Sequence, residues 1–212
     1  MQQPLENQQT IRPLFVISAP SGAGKTSLIA AALERDKQLQ LSVSYTTRTP
    51  RIGESDGQHY HFVDVAAFKQ RVDSGDFLEH ASVFGNAYGT SRAAIYAQQQ
   101  AGFEVVLEID WQGARQVMSA TECISIFILP PSLDALQQRL DKRQTDSQAI
   151  IAERMAQARA EISHWHEYEY LLVNDSFEET VEQLLSIIQA SRLHHQQQSQ
   201  EQRKLIDELL EN

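Results

Sequence analysis

Cysteine is almost missing from this chain of 212 residues, with Cys123 the single instance. One thiol forms no internal disulfide. Its place in the apolar run Cys123-Ile-Ser-Ile-Phe-Ile-Leu129 makes it a small buried hydrophobe of a reducing compartment rather than a reactive group. Long apolar runs are lacking too: none reaches the roughly 18 residues that a membrane span requires, so no membrane partner is expected. Met1 to Thr10 is polar and has no basic stretch ahead of an apolar core, so no secretory signal is read there and the cytoplasm is the expected location. Positive charge is in deficit, with 18 Lys and Arg against 28 Asp and Glu and a formal net charge of −10. That balance disfavours a nucleic-acid partner, because affinity for a phosphate backbone depends on surplus Lys and Arg. A basic cluster in so acidic a chain points instead to a small anion. The length suits one domain with inserted lobes, able to fold without disulfides or structural metals.

What is present alternates between strand and helix. Leu14-Phe-Val-Ile17 reads as a buried strand, Ser18 to Gly24 as a glycine-rich loop, and Ser27 to Arg35 as a helix with Leu28, Ile29, Ala32 and Leu33 on one face. Leu41 to Thr47 and His59 to Val63 are β-rich around Pro50, Gly53 and Gly57, which predicts an antiparallel, hairpin-like insertion. Val65 to Val72 and Ser91 to Gln100 are expected to be helical and Phe77 to His80 extended. Phe103 to Asp110 and Cys123 to Leu129 are expected strands, the second ended by Pro130-Pro131. Strands and helices interleaved on this scale predict a parallel α/β core.

Beyond Ser132 the chain turns helical and polar. Thr145-Asp-Ser-Gln148 has capping-box spacing, so one helix is expected to end near Arg143 and another to start near Asp146, forming a helical hairpin. Tyr170 to Val173 returns as a strand, Phe177 to Leu193 as an amphipathic helix, and Gln196 to Gln200 as a polar hinge. A last helix carries Leu205, Ile206, Leu209 and Leu210, a stripe apolar enough to predict self-association into a homo-oligomer or docking on the core. The expected organisation is a core of 1–43, 103–135 and 165–212, a lobe of 44–102 and a lid of 136–164.

Ala19-Pro-Ser-Gly-Ala-Gly-Lys25-Thr26 follows the pattern G-x-x-x-x-G-K-[ST], with Ala19 where the first glycine would stand. In such a loop Gly22 and Gly24 let backbone N–H groups turn inward around phosphate oxygens. Lys25 reaches the β and γ phosphates, and the Thr26 hydroxyl helps hold Mg²⁺. The following helix adds its N-terminal dipole. Residues Ser21, Gly22, Ala23, Gly24, Lys25, Thr26 and Ser27 are therefore candidates for a nucleoside triphosphate, ATP or GTP, carried with Mg²⁺. A GTPase would need an Asn-Lys-x-Asp segment, and none occurs, although Asp110-Trp-Gln-Gly113 mimics the GTPase Asp-x-x-Gly.

A second cluster, Ser44, Arg48, Arg51, Tyr60, Glu79, Tyr88 and Thr90, is scattered through a β-rich insertion that a GTPase lacks. Ser42-Val-Ser-Tyr-Thr-Thr-Arg-Thr-Pro-Arg51 with Gly53-Glu54, Gly57, Tyr60 and Phe62 resembles the GMP-binding segment of the guanylate kinase family. Phe84-Gly-Asn-Ala-Tyr-Gly-Thr90, Glu108-Ile-Asp-Trp-Gln-Gly113 and Val173-Asn-Asp175 extend the resemblance over essentially the whole chain, the C-terminal helix included. It implies ATP and GMP reacting to ADP and GDP, on a P-loop core with a parallel sheet, a mixed or antiparallel β GMP-binding lobe and a mobile helical lid. It also implies that Arg48 and Arg51 bind the GMP phosphate with the hydroxyls of Tyr60 and Tyr88, and that Asn174 approaches the adenine side. Ala19 departs from the family pattern. So do Thr90, for a frequent Ser, and Glu108, for a frequent Asp.

The nucleophile of such a reaction is already an anion, so no general base is required. The barrier is charge repulsion between two polyanions, and catalysis becomes positioning plus positive charge. Arginine suits this because its rigid fork grips phosphate twice and stays charged. Arg139 and Arg143 stand four apart on one helix and Arg154 on the next, an arrangement able to close over ATP. Lys25, Arg48, Arg143 and Arg154 are the catalytic candidates; Arg139, Arg143 and Asn174 join the ATP set. Guanine offers two donors, N1–H and the 2-amino group, which Glu79 and Asp110 suit, and an acceptor O6 to which Ser44 or Thr90 could donate. Asp110 equally suits a strand-terminal magnesium partner. Two other functions are weighed: a kinase of another nucleoside monophosphate, disfavoured because adenine inverts that edge, and a non-enzymatic interaction module, which has no need of Lys25. His164 with His166, and His194 with His195, read as surface pairs.

Overall fold

Leu14–Ser18 forms strand β1 and is buried along its whole length, which a central strand covered on both faces requires. The computed structural model describes residues 12–83, 85–141 and 148–211, the span 148–154 by its backbone alone. After β1 come helix α1 (Lys25–Arg35), strand β2 (Leu39–Leu41), short strands β3 (Tyr45–Thr46) and β4 (His61–Phe62), helix α2 (Val65–Asp73), strands β5 (Phe77–Val83) and β6 (Asn86–Ser91), and helix α3 (Arg92–Gln100). Strand β7 (Glu104–Glu108), helix α4 (Trp111–Ala120) and strand β8 (Ile124–Leu129) follow. The lid-region helices are α5 (Leu133–Asp141) and α6 (Gln148–Ile162), after which a 3-10 turn (Trp165–Glu167) leads to strand β9 (Tyr170–Val173). Helices α7 (Phe177–Arg192), α8 (His195–Glu201) and α9 (Arg203–Leu210) complete the order.

Strands pair in parallel in the order β2-β7-β1-β8-β9. Alternation along β1 splits the core. Phe15 and Ile17 pack with Leu28 and Ile29 of α1 and Leu184 and Ile188 of α7, whereas Leu14 and Val16 face Ile95 of α3 and Val117 of α4. Each fully buried side chain of this kind contributes about 1.5–3 kcal/mol. The chain leaves β1 for strands on one side and later fills the other, so the carboxyl end of β1 is the switch point where ligands of α/β sheets bind. At the far end of the sheet Arg192 of α7 holds the buried Glu104 and Asp36 at 2.6 and 2.7 Å. No helix among the described residues is long and apolar enough to cross a membrane.

The second sheet, in the order β4-β3-β6-β5, is mixed. Here the hairpin expectation is corrected: β3 and β4 run parallel, Tyr45 opposite His61, and the antiparallel partner of β3 is β6. The segment between them doubles back through Gly57, whose N–H bonds the Tyr60 carbonyl at 2.8 Å with φ +74°, so the chain re-enters in its original direction. Leu39–Leu41 joins the main sheet instead. Gln196–Gln200, expected as a hinge, lies inside α8, because glutamine is a good helix former when no glycine or proline interrupts it. The expected helix end near Arg143 and capping box at 145–148 fall largely outside the described residues. Leu205, Leu209 and Leu210 of α9 are exposed, so docking of that stripe on the core is not observed.

Candidate active site

The loop between β1 and α1 is shaped by two glycines with left-handed backbones, Gly22 at φ +92° and Gly24 at φ +96°. Both are also crowded. A Cβ on Gly24 would meet Asn174 Nδ2 at 2.5 Å, and one on Gly22 would meet Leu140 Cδ2 at 3.0 Å, so neither site admits a larger residue. Ala19 packs against the α1-side core, and Ser18 donates to the Ile109 carbonyl at 2.9 Å, tying the loop to the end of β7. Helix α1 begins at Lys25, which leaves first-turn N–H groups directed at any bound anion. Lys25 Nζ donates to the Ile109 carbonyl at 3.2 Å and lies 4.0 Å from Glu108. Thr26 donates to Glu108 Oε1 at 2.5 Å. Ser27 is exposed on the next position.

Glu108 and Asp110 stand two apart at the end of β7 and serve different neighbours. Glu108 faces Thr26. Asp110 caps α4, its Oδ1 accepting from Gly113 N–H at 2.9 Å, and lies beside Glu79 across the lobe boundary. Glu79 is 2% exposed, and a Cβ on Gly113 would overlap its Oε2 and sit 3.0 Å from its Cδ. Thr90 donates to Glu79 Oε1 at 2.5 Å, and Ser44 Oγ lies 3.4 Å from Thr90. Burial, reinforced by Asp110, pushes the Glu79 carboxyl up to about 7 against the pull of Thr90. A buried acid with one hydroxyl donor and open acceptor capacity is suited to a ligand that brings N–H groups.

Arg48 and Arg51 flank a carboxylate that sequence reasoning passed over. Glu54 takes Arg48 Nη2 at 2.8 Å and the Arg51 N–H at 2.7 Å, and the pairing with Arg48 holds its carboxyl below the usual range. Arg48 also reaches the Tyr88 hydroxyl and lies over the Tyr60 ring, 5.3 Å from its centre, while Tyr60 and Tyr88 meet edge-on at 5.9 Å. The Arg51 side chain is exposed.

On the lid side, Arg139 donates to the carbonyls of Ala23 at 3.2 Å and Asn174 at 2.9 Å. Asn174 is buried and donates to the same Ala23 carbonyl at 2.7 Å, so both buttress the phosphate loop. Arg143 lies outside the described residues, and Arg154 is placed only as a position on α6. His164 is corrected: its ring stacks on Trp111 at 3.7 Å between centres, 10° from parallel, and Nδ1 meets Glu167 at 2.7 Å. A partner 53 residues away and a local one three residues on decide this, while His166 remains exposed. Glu161 has no signal in the sequence, and the close approach of Gly113 to Glu79 is not foreseen there either. Only the Asp-x-x-Gly spacing could have drawn attention to Gly113. Among the described residues no group of three His, Cys, Asp or Glu side chains is arranged for a metal. Thr26 and Glu108 do present adjacent oxygen donors of the hard kind that Mg²⁺ takes with a nucleotide.

A phosphate loop linked through the end of β7 to a buried acidic pair at the second sheet, with α5 and α6 contacting the loop through Arg139 and Glu161, defines a P-loop phosphotransferase. The comparisons narrow this. A family model described as guanylate kinase matches residues 11–191. The guanylate kinase of Chromohalobacter salexigens is 57% identical over 84% of this chain and 84% of its own length. That of Methylobacillus flagellatus is 50% identical over 93% and 98%. The crystal structure of guanylate kinase from Anaplasma phagocytophilum superposes with a TM-score of 0.71 at 34% identity, covering 88% of this chain and 89% of that one. The chain belongs to the guanylate kinase family.

Proposed function

We propose that the protein transfers the γ-phosphoryl group of MgATP to the phosphate of GMP, giving ADP and GDP, with the core, lobe and lid divided as the sequence suggests. The observation that carries this reading is the buried Glu79, bonded by Thr90 and beside Asp110, one strand-end from the Glu108 that meets Thr26 in the phosphate loop. Guanine N1–H and the 2-amino group would donate to the two carboxylates. Thr90 gives its only proton to Glu79, which leaves Ser44 as the hydroxyl for O6. The position of Glu108 at Thr26 supports giving it the magnesium side and Asp110 the base.

The ATP phosphates would lie on the first-turn N–H groups of α1, with Lys25 turning from the Ile109 carbonyl to the β and γ oxygens. Thr26 and Glu108 would hold the Mg²⁺ that accompanies ATP, and such an ion would supply neutralising charge at the phosphates. Arg48 and Arg51 would hold the acceptor phosphate with Tyr60 and Tyr88, and Arg143 and Arg154 would add charge from the lid at the transferring group. No proton is removed from the nucleophile, so the residues act by alignment and by cancelling repulsion. A coupled ADP-release assay with GMP, AMP and dTMP tests the reading. GMP should be the acceptor used; turnover of AMP equal to that of GMP would overturn the base assignment.

A further inference from the structure

We propose that Glu161 is a positioning residue that holds the phosphate loop from the root of the lid throughout the catalytic cycle. The Ser21 N–H, inside an anion-binding loop, donates to Glu161 Oε2 at 3.0 Å across 140 residues of sequence. A carboxylate there would compete with ATP if that N–H were needed for phosphate. Three observations separate the two. The N–H groups that open α1 and the Lys25 ammonium offer phosphate donors besides the Ser21 N–H, which is already engaged by Glu161. The chain just after Glu161 is pinned to the core: His164 stacks on Trp111, and Glu167 accepts from Arg115 Nε at 3.1 Å and Nη2 at 2.5 Å. Glu161 therefore sits on the anchored end of α6. Finally, the adjoining loop residues are gripped from the same side, Gly22 beneath Leu136 and Leu140 and the Ala23 carbonyl by Arg139 and Asn174. Ser21 to Ala23 is thus clamped by the bases of both lid helices, and Glu161 supplies the clamp at Ser21. By fixing the turn that precedes Gly22 and Gly24, it keeps the α1 donors aligned before ATP arrives.

The inference rests on the kinase reading above, and the test separates the two. Steady-state constants for ATP and GMP are measured in the wild type, Glu161→Ala and Glu161→Gln. The alanine variant should lose about tenfold in kcat and gain in ATP KM, with GMP KM unchanged, because one charge-assisted bond to a loop N–H is gone. The glutamine variant, whose side-chain oxygen still accepts from Ser21, should recover most of that loss. An alanine variant as active as the wild type overturns the inference alone. So does tighter ATP binding in both variants, the mark of a carboxylate that merely occupies the phosphate position, or a glutamine variant as impaired as alanine. If the alanine variant does not fold by circular dichroism, the glutamine variant decides: an ATP KM near that of the wild type supports the clamp, and a lower one overturns it. A wild type inactive with ATP and GMP would remove the kinase reading and this inference with it.

Discussion

Gly113→Ala sets helix propensity directly against the base pocket. Gly113 lies in the first turn of α4 with an ordinary helical backbone, so alanine fits the chain there and favours the helix by up to about 1 kcal/mol. Its methyl, however, would overlap Glu79 Oε2, the atom not engaged by Thr90. Glu79 is buried and has little room to retreat, so the carboxylate must turn away from the space a guanine edge would occupy. Losing one hydrogen bond to a charged acceptor costs about 1.5–3 kcal/mol, which corresponds to roughly a 10- to 150-fold rise in GMP KM. The two terms fall on different observables. Folding stability gains from propensity what it loses to crowding, so Tm should move by no more than a few degrees. GMP KM should rise by the stated factor, while ATP KM, governed by a loop on the other side of β7, stays as it was. Glu79→Ala combined with Gly113→Ala should be no worse than Glu79→Ala alone, since the second change acts only through the first. A Gly113→Ala enzyme with wild-type GMP KM would refute the placement of guanine against Glu79.

The raised Glu79 carboxyl predicts a pH dependence with a definite sign. Its value near 7 in the folded protein exceeds the ordinary 4.5, so it stabilises the unliganded fold fully below about pH 4.5 and that contribution is lost as pH rises through 7. If guanine binds as proposed, it requires the ionised form, and the GMP KM should rise about tenfold from pH 8 to pH 6, in excess of any change from its own phosphate. Glu79→Gln should remove that excess; an equal slope in both proteins would contradict the assignment. IMP, which lacks the 2-amino group, should fall about 10- to 200-fold below GMP in kcat/KM, with AMP lower still, and parity of IMP with GMP would withdraw Asp110 from the base. Lys25→Ala should abolish detectable transfer with an unchanged circular dichroism spectrum, and near wild-type turnover would refute the loop's role.

The phosphate loop was legible because its signal is contiguous: glycines, lysine and threonine occupy consecutive positions, and the flanking strand and helix are long enough to declare themselves. The apolar runs at Leu14 and Ile124 and the amphipathic stretch from Phe177 were legible for the same reason. The second sheet was not. Strands β3 and β4 are two residues each, too short for alternation to carry direction, and β6 contains Gly89, where a Cβ would lie 2.9 Å from the Phe77 ring. Helix α4 went unread because Gly113 weakens its pattern, although Asp110 is a good N-cap. Glu79 and Asp110 pair in the sequence only through the donor edge of guanine, once the family resemblance has pointed to GMP. By contrast Glu161 with Ser21, and His164 with Trp111, meet across long stretches of sequence, and no local spacing announces them.

Glu54 bears on how a catalytic cycle ends. Two arginines alone would present two positive charges to the acceptor phosphate. With Glu54 bonded to one and held against the backbone of the other, the trio carries a net single charge. A dianionic phosphate placed there, as proposed, would be oriented by guanidinium and phenol groups without being fully neutralised. Strong grip on the acceptor would persist in the diphosphate made from it, since binding shared equally by substrate and product lowers KM without raising turnover. If the proposed acceptor site is right, Glu54 would work as a counterweight, giving up some affinity for GMP so that GDP could leave.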